Sequence, residues 1–147
     1  MTRSQTRSGS QGCDSLDRRR QRRGLALQTE LLEEFHRIRN RHWWYRGRRT
    51  VVAAILRRFL SHGVSGPLLD LGSGPATNQS LLTPLASTVV TLDASAHALR
   101  WCRHEKYGRP VAGDAQRLPF ADRSFAVVAA LDILEHLDDD RTAVAEL

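Results

Sequence analysis

Apolar residues follow two rhythms along this chain, and the change falls near residue 64. Before it they recur at helical intervals. Leu31, Leu32, Phe35 and Ile38 share one face, and Val51, Val52, Ile55, Leu56, Phe59 and Leu60 share another. Arg39-Asn40-Arg41 reads as the polar end of the first helix. His42 to Arg49 reads as an aromatic and basic linker, and Gly63 as the stop of the second helix. After residue 64, four short apolar runs take over: Leu68–Leu71, Val89–Leu92, Pro110–Ala112 and Phe125–Leu131. Helical or loop stretches separate them. Asn78–Leu85 predicts a short helix weakened by Pro84, and Ser95 caps a helix that runs through Arg103. Leu134 and Leu137 form a short apolar turn, and Asp138-Asp139-Asp140 places negative charge at the start of a last helix from about Arg141. This strand-helix alternation predicts an α/β fold, a parallel sheet with flanking crossover helices.

Length and charge refine that picture. The 147 residues suffice for one domain. Residues 1–24 are Ser, Gly, Gln and Arg with few apolar side chains and are expected to be disordered. They hold seven arginines against Asp14 and Asp17, whereas residues 25–147 hold fifteen basic and fourteen acidic residues. The formal charge of +6 therefore describes a tail more than a folded surface. Nucleic acid is an unpromising partner, although Arg18–Arg23 is able to make nonspecific contacts. Two cysteines, Cys13 and Cys102, show neither metal spacing nor a disulfide framework. No apolar run approaches membrane-spanning length, and the chain is read as cytoplasmic. The domain is divided into N-terminal helices (25–63) and a ligand-binding region (64–147). A sheet ending at the fourth run leaves an apolar strand near an edge, so the chain is expected to be part of a longer domain.

The chemistry concentrates where strands end. Leu68-Leu69-Asp70-Leu71-Gly72-Ser73-Gly74-Pro75-Ala76-Thr77-Asn78 is an apolar run that closes on an acid and breaks into a turn of small residues. Such turns bind nucleotide-like ligands at the carboxyl ends of parallel strands. Pyrophosphate cofactors want bare N–H groups there. Asp70 instead favours a positively charged ligand, such as an amino-acid ammonium or a sulfonium. Asp93 ends the second strand 23 positions later and suits two vicinal ribose hydroxyls. Asp114 ends the third and suits an adenine amino group. The three acids lie on one edge of one sheet and together describe a nucleoside site.

These residues carry a resemblance. The chain, from about His42 to Leu147, resembles the class I, Rossmann-like S-adenosyl-L-methionine-dependent methyltransferases, most of all the small-molecule branch of ubiquinone and menaquinone biosynthesis. Asp70 to Ala76 is similar to that family's acid-x-Gly-x-Gly-x-Gly motif, with Ala76 in place of the last glycine, a mild departure that still permits close approach. The resemblance implies cofactor contacts from Asp70, Gly72, Ser73, Gly74, Asp93, Ala94, Asp114, Ala115 and Asp132. Leu118-Pro119-Phe120 and Leu131 to Leu137 resemble the stretches around the fourth strand. It also implies a glycine-proline turn and three further strands, so the chain corresponds to the N-terminal half to two-thirds of such a domain.

The implied reaction is methyl transfer to a small-molecule acceptor that the sequence does not identify. His136 is the candidate base, with a packed or capping histidine as its other reading. Trp43 and Trp44 are expected to pack the N-terminal helices onto the sheet, with at least one touching the pocket. Arg46, Arg48 and Arg49 are expected to be solvated rather than to meet an anionic substrate. No metal is implied, and oligomeric state stays open. Two alternatives accompany this reading. One is a fragment that binds the cofactor without turnover. The other is an NAD(P)-dependent oxidoreductase, which Asp93 fits but Asp70, Thr77 and Asp114 fit poorly.

Overall fold

The computed structural model describes residues 30–147. The arginine-rich tail, Cys13 and residues 25–29 of the expected N-terminal helices lie outside the described residues. Helix α1 covers 30–38, and α2 follows at Trp43–Phe59. The remaining order is β1 (Leu68–Leu71), α3 (Gln79–Leu82), β2 (Val89–Asp93), α4 (Ala96–His104), β3 (Arg109–Ala112), β4 (Val127–Ala130), a 3₁₀ turn (Leu134–His136) and α5 (Asp140–Glu146). All strands are parallel, in the order β3-β2-β1-β4. The chain moves outward from β1 to β3, then crosses back to place β4 on the other side of β1. The carboxyl ends of β1 and β4 thus flank a topological switch point, where open α/β sheets bind ligands.

Each element has a local cause. The residues read as a linker are helical from Trp43, because the His42 imidazole accepts from the Trp44 N–H (3.3 Å) and caps the helix. Helix α3 stops before Pro84, whose ring cannot continue a helix. Ser95 Oγ accepts from Ala98 N (3.2 Å) at the start of α4, and Asp139 accepts from Thr142 N (3.0 Å) at the start of α5.

Strand β1 is buried on both faces and alternates between two cores. Leu68 joins Leu82, Val89, Leu99, Cys102 and Tyr107 under α3 and α4, while Leu69 and Leu71 join Leu92 and Ala115 on the opposite face. Each of these fully enclosed leucines contributes about 1.5–3 kcal/mol. The second helix packs more narrowly than its sequence suggested. Val52, Ala53 and Leu56 reach the core, but Val51, Ile55 and Phe59 are exposed. Trp43 and Trp44 are also exposed, at 76% and 47%, which corrects the expectation that they pin the helices to the sheet. They sit in the first turn of α2, where Trp44 meets only the edge of Tyr45 (4.9 Å) among ring partners. Among the described residues no helix is long and apolar enough to cross a membrane.

Candidate functional site

The glycine-rich turn leaves β1 at Gly72 and enters α3 at Asn78. Gly72 N–H and Ser73 N–H both donate to the Leu92 carbonyl, at 2.8 and 3.1 Å, which ties the turn to β2. Gly72 adopts φ +70°, and a Cβ there would lie 2.9 Å from the Cβ of Ile133, just beyond β4. Glycine is therefore required both by conformation and by the close approach of the chain across the switch point. Ala76 also has a left-handed backbone, at φ +60°. Its departure from glycine costs backbone strain of about 1–2 kcal/mol, so the price of the substitution is conformational rather than steric.

Asp93 organises the rim. Its Oδ2 accepts from Gly74 N–H (2.9 Å), and its Oδ1 accepts from Ser95 N–H (2.8 Å). Its own carbonyl accepts from Gly113 N–H (3.2 Å), so one residue joins the ends of β1, β2 and β3. The carboxylate remains half-buried, and each oxygen keeps a lone pair for a further donor.

Asp70 is placed differently. Strand register pairs Asp70 with Thr91 and Leu71 with Leu92, so Asp93 stands two residues nearer the sheet edge on the same face. That is a step of about 7 Å. Asp93 in turn pairs with Ala112, and Asp114 lies two residues further out. The three acids form a staircase, not a level row. Asp70 is fully enclosed, accepting from Asn78 Nδ2 (3.0 Å) on Oδ1 and from the Tyr107 hydroxyl (2.9 Å) on Oδ2. Burial pushes its pKa up to about 6, against the pull of these two hydrogen bonds. Burial, and then the neighbouring Asp70, push the Tyr107 phenol up as well.

The network continues outward. Asn78 Oδ1 accepts from Arg48 Nη1 (3.2 Å), and Arg48 Nε pairs with Asp132 beyond β4. Arg49 Nη1 donates to the Arg39 carbonyl (2.6 Å). Arg48 and Arg49 are thus held by protein groups rather than solvated, because α2 lies across the turn; Arg46 is exposed as expected.

The other sequence-nominated residues lie around this frame. Ser73 is fully buried, with Oγ 3.7 Å from Cys102 Sγ, and Ala115 is buried in the lower core. Ala94 is exposed at the bend after β2. Asp114 is exposed, and its Oδ1 accepts from Gln116 N–H (2.8 Å). Asp132 is exposed with φ +56°, and His136 is exposed in the 3₁₀ turn. Burial holds the Cys102 thiol above its usual range. Among the described residues no cluster of three metal-binding side chains forms.

The largest omission from the sequence reading is a clamp at the end of α1. Arg39, buried to 7% exposure, donates from Nη1 to the carbonyls of Pro75 (2.7 Å) and Ala76 (2.8 Å), and Nη2 pairs with Glu105 (3.0 Å). His36 stacks on Trp101 at 3.8 Å and reaches Pro75 O and Glu105 with its two ring nitrogens. A signal was present: Leu32, His36 and Arg39 stand at helical spacing, which puts two polar side chains on an inward face.

Residues 69–147 match a family described as a methyltransferase domain. The chain belongs to that family. It is similar to the demethylmenaquinone methyltransferase of Thermobifida fusca, 34% identical over 116 residues that cover 74% of this chain and 45% of that protein. It spans about half the length of the curated relatives it matches. Its fold is similar to that of the N-methyltransferase NodS from Bradyrhizobium japonicum, solved with S-adenosyl-L-homocysteine, at TM-score 0.62 and 24% identity over 80% of this chain and 64% of that one. It is also similar to CalS10, an amino pentose methyltransferase from Micromonospora echinaspora solved with S-adenosyl-L-methionine, at TM-score 0.59 and 24% identity over 79% of this chain and 49% of that one. The region that matches the family model runs from within β1 through β4 to α5, with α1 and α2 before it.

Proposed function

We propose that this chain binds S-adenosyl-L-methionine across the carboxyl ends of β1, β2 and β3, and supplies the cofactor-binding part of an enzyme that methylates a small-molecule acceptor. The observation that carries the reading is Asp93. Its carboxylate is fixed by two backbone N–H groups beside the glycine turn, yet stays half exposed, as bidentate capture of a ribose diol requires. Gly72 lets the turn pack tightly against Ile133, which joins the ends of β1 and β4.

The cofactor supplies an electrophilic methyl group on a positively charged sulfur. The protein's task is alignment and exclusion of water. In this reading Asp93 orients the ribose, Asp114 and Ala115 border the adenine, and Gly72, Ser73, Gly74 and Ala94 shape the floor. Asp132 frames the amino-acid end together with Arg48. Asp70 acts from beneath, where its hydrogen bonds hold Asn78 and the turn. His136 is the candidate to take a proton from an acceptor that is protonated at working pH. A cytoplasmic setting fits a chain with only two cysteines and no metal spacing.

Calorimetric titration tests the binding half of this reading. S-adenosyl-L-homocysteine is expected to bind, and NAD to give no heat. Binding of NAD alone would favour an oxidoreductase instead. Incubation with methyl-labelled cofactor and a cell extract tests the transfer half, with label in a low-molecular-weight product as the expected result.

A further inference from the structure

We propose that Arg39 is a positioning residue that does for Ala76 what glycine would do by itself: it holds the turn in its left-handed form. The cofactor site is in this way completed from the residue that follows α1, N-terminal to the residues 69–147 that the family model matches. The inference rests on the reading that this turn receives S-adenosyl-L-methionine.

Ala76 has φ +60° and is buried to 2% exposure. An L-residue leaves that conformation readily when nothing opposes it, since the right-handed form is favoured about tenfold or more. Leaving it would swing the carbonyls that flank position 76. Both carbonyls end on one guanidinium nitrogen: Arg39 Nη1 is 2.7 Å from Pro75 O and 2.8 Å from Ala76 O. A rotation of the turn therefore breaks charge-assisted hydrogen bonds in a buried place. The guanidinium is itself fixed. Its Nη2 pairs with Glu105 Oε1 at 3.0 Å, just after α4, and the Arg39 carbonyl accepts from Arg49 Nη1 at 2.6 Å. His36 Nδ1 approaches the same Pro75 carbonyl at 3.3 Å. The clamped peptide lies two residues from Gly74, whose N–H is held by Asp93. Displacement at residue 76 is thus passed directly to the rim.

A mutant cycle on the whole chain tests this. The proteins are the native chain, Arg39→Met, Ala76→Gly and the double variant, each titrated with S-adenosyl-L-homocysteine. Hydrogen exchange is followed at the amides of residues 72–79. Arg39→Met is expected to weaken binding about tenfold or more. Ala76→Gly alone is expected to stay within about twofold of the native chain, and the double variant to recover most of the loss, because glycine holds the left-handed form without a clamp. Arg39→Lys, which keeps the charge beside Glu105 but not the two-carbonyl geometry, is read in the same way and stands in should the methionine variant not fold. An equal loss in the Ala76 and Ala76→Gly backgrounds, or no loss on replacing Arg39, would overturn the proposal. Should the native chain fail to bind S-adenosyl-L-homocysteine, the functional reading falls while the clamp is still judged by exchange. Faster exchange in the Arg39 variants that Ala76→Gly reverses supports the clamp, and unchanged exchange overturns it.

Discussion

Asp70 and Asp93 stand on adjacent parallel strands, on the same face of the sheet, two residues apart in depth. Asp70 is enclosed, its two oxygens taken by Asn78 and Tyr107, and its proton is held to about pH 6. Asp93 is half exposed, anchored by backbone N–H groups that leave it able to accept more. The difference teaches that its rung decides whether a strand-end acid beside a glycine turn is locked into the frame or left able to accept further donors. One side-chain repeat moves a carboxylate from the rim into the frame.

The comparison breaks most visibly if the frame is cut. Asp70→Ala leaves the buried Tyr107 hydroxyl and the Asn78 amide without an acceptor. It is expected to destabilise the protein by about 4 kcal/mol in urea unfolding at about pH 4, where Asp70 is protonated in the folded state, at the sum of two orphaned polar groups. A loss below about 1 kcal/mol would show that Asp70 is not a frame residue.

The pH dependence sharpens the same point. The folded-state pKa of Asp70 lies above its ordinary carboxylate value, so the folded state binds the proton more tightly than the unfolded state does. The associated stability is fully present below about pH 4 and is lost as pH rises through about 6. Asp70→Asn removes this dependence. The variant is expected to gain on the native chain by up to about 3 kcal/mol between pH 4 and pH 7.5. Unfolding curves for both proteins at the two values check it, and a variant that fails to gain on the native chain between them contradicts it.

Smaller effects mark regions outside the contrast. Ser95→Ala removes the cap of α4 and is expected to cost about 1 kcal/mol, seen as a lowered urea midpoint with an unchanged slope. Trp43→Ala, at a side chain 76% exposed, is expected to change stability by less than about 0.5 kcal/mol. A larger loss in the same measurement would mean that the tryptophan is packed.

Much of this frame was legible in the chain. Short apolar runs placed all four strands, most plainly β1, which is buried on both faces and reads as a nearly unbroken apolar stretch. The turn from Gly72 to Asn78 was legible because small residues there answer to backbone geometry. Depth was not legible. The sequence aligns Asp70, Asp93 and Asp114 as strand ends, but register decides which rung each occupies, and register is a property of the paired sheet. The start of α2 was hidden because His42, an unusual cap, precedes an aromatic and basic run that reads as a linker. Arg39 was hidden for a different reason. A charge at the end of an amphipathic helix reads as solvated until the carbonyls it meets, 36 and 37 positions away, are known.

The most direct test of the contrast sets the two acids against each other in one titration. S-adenosyl-L-homocysteine is added to Asp93→Ala and to Asp70→Asn at pH 7.5, each checked for cooperative unfolding. Loss of the charge-assisted pair in Asp93→Ala is expected to cost about 1.5–3 kcal/mol of binding, whereas Asp70→Asn is expected to stay within a few-fold of the native chain. Unchanged affinity in Asp93→Ala, with the loss falling on Asp70→Asn, would contradict the account.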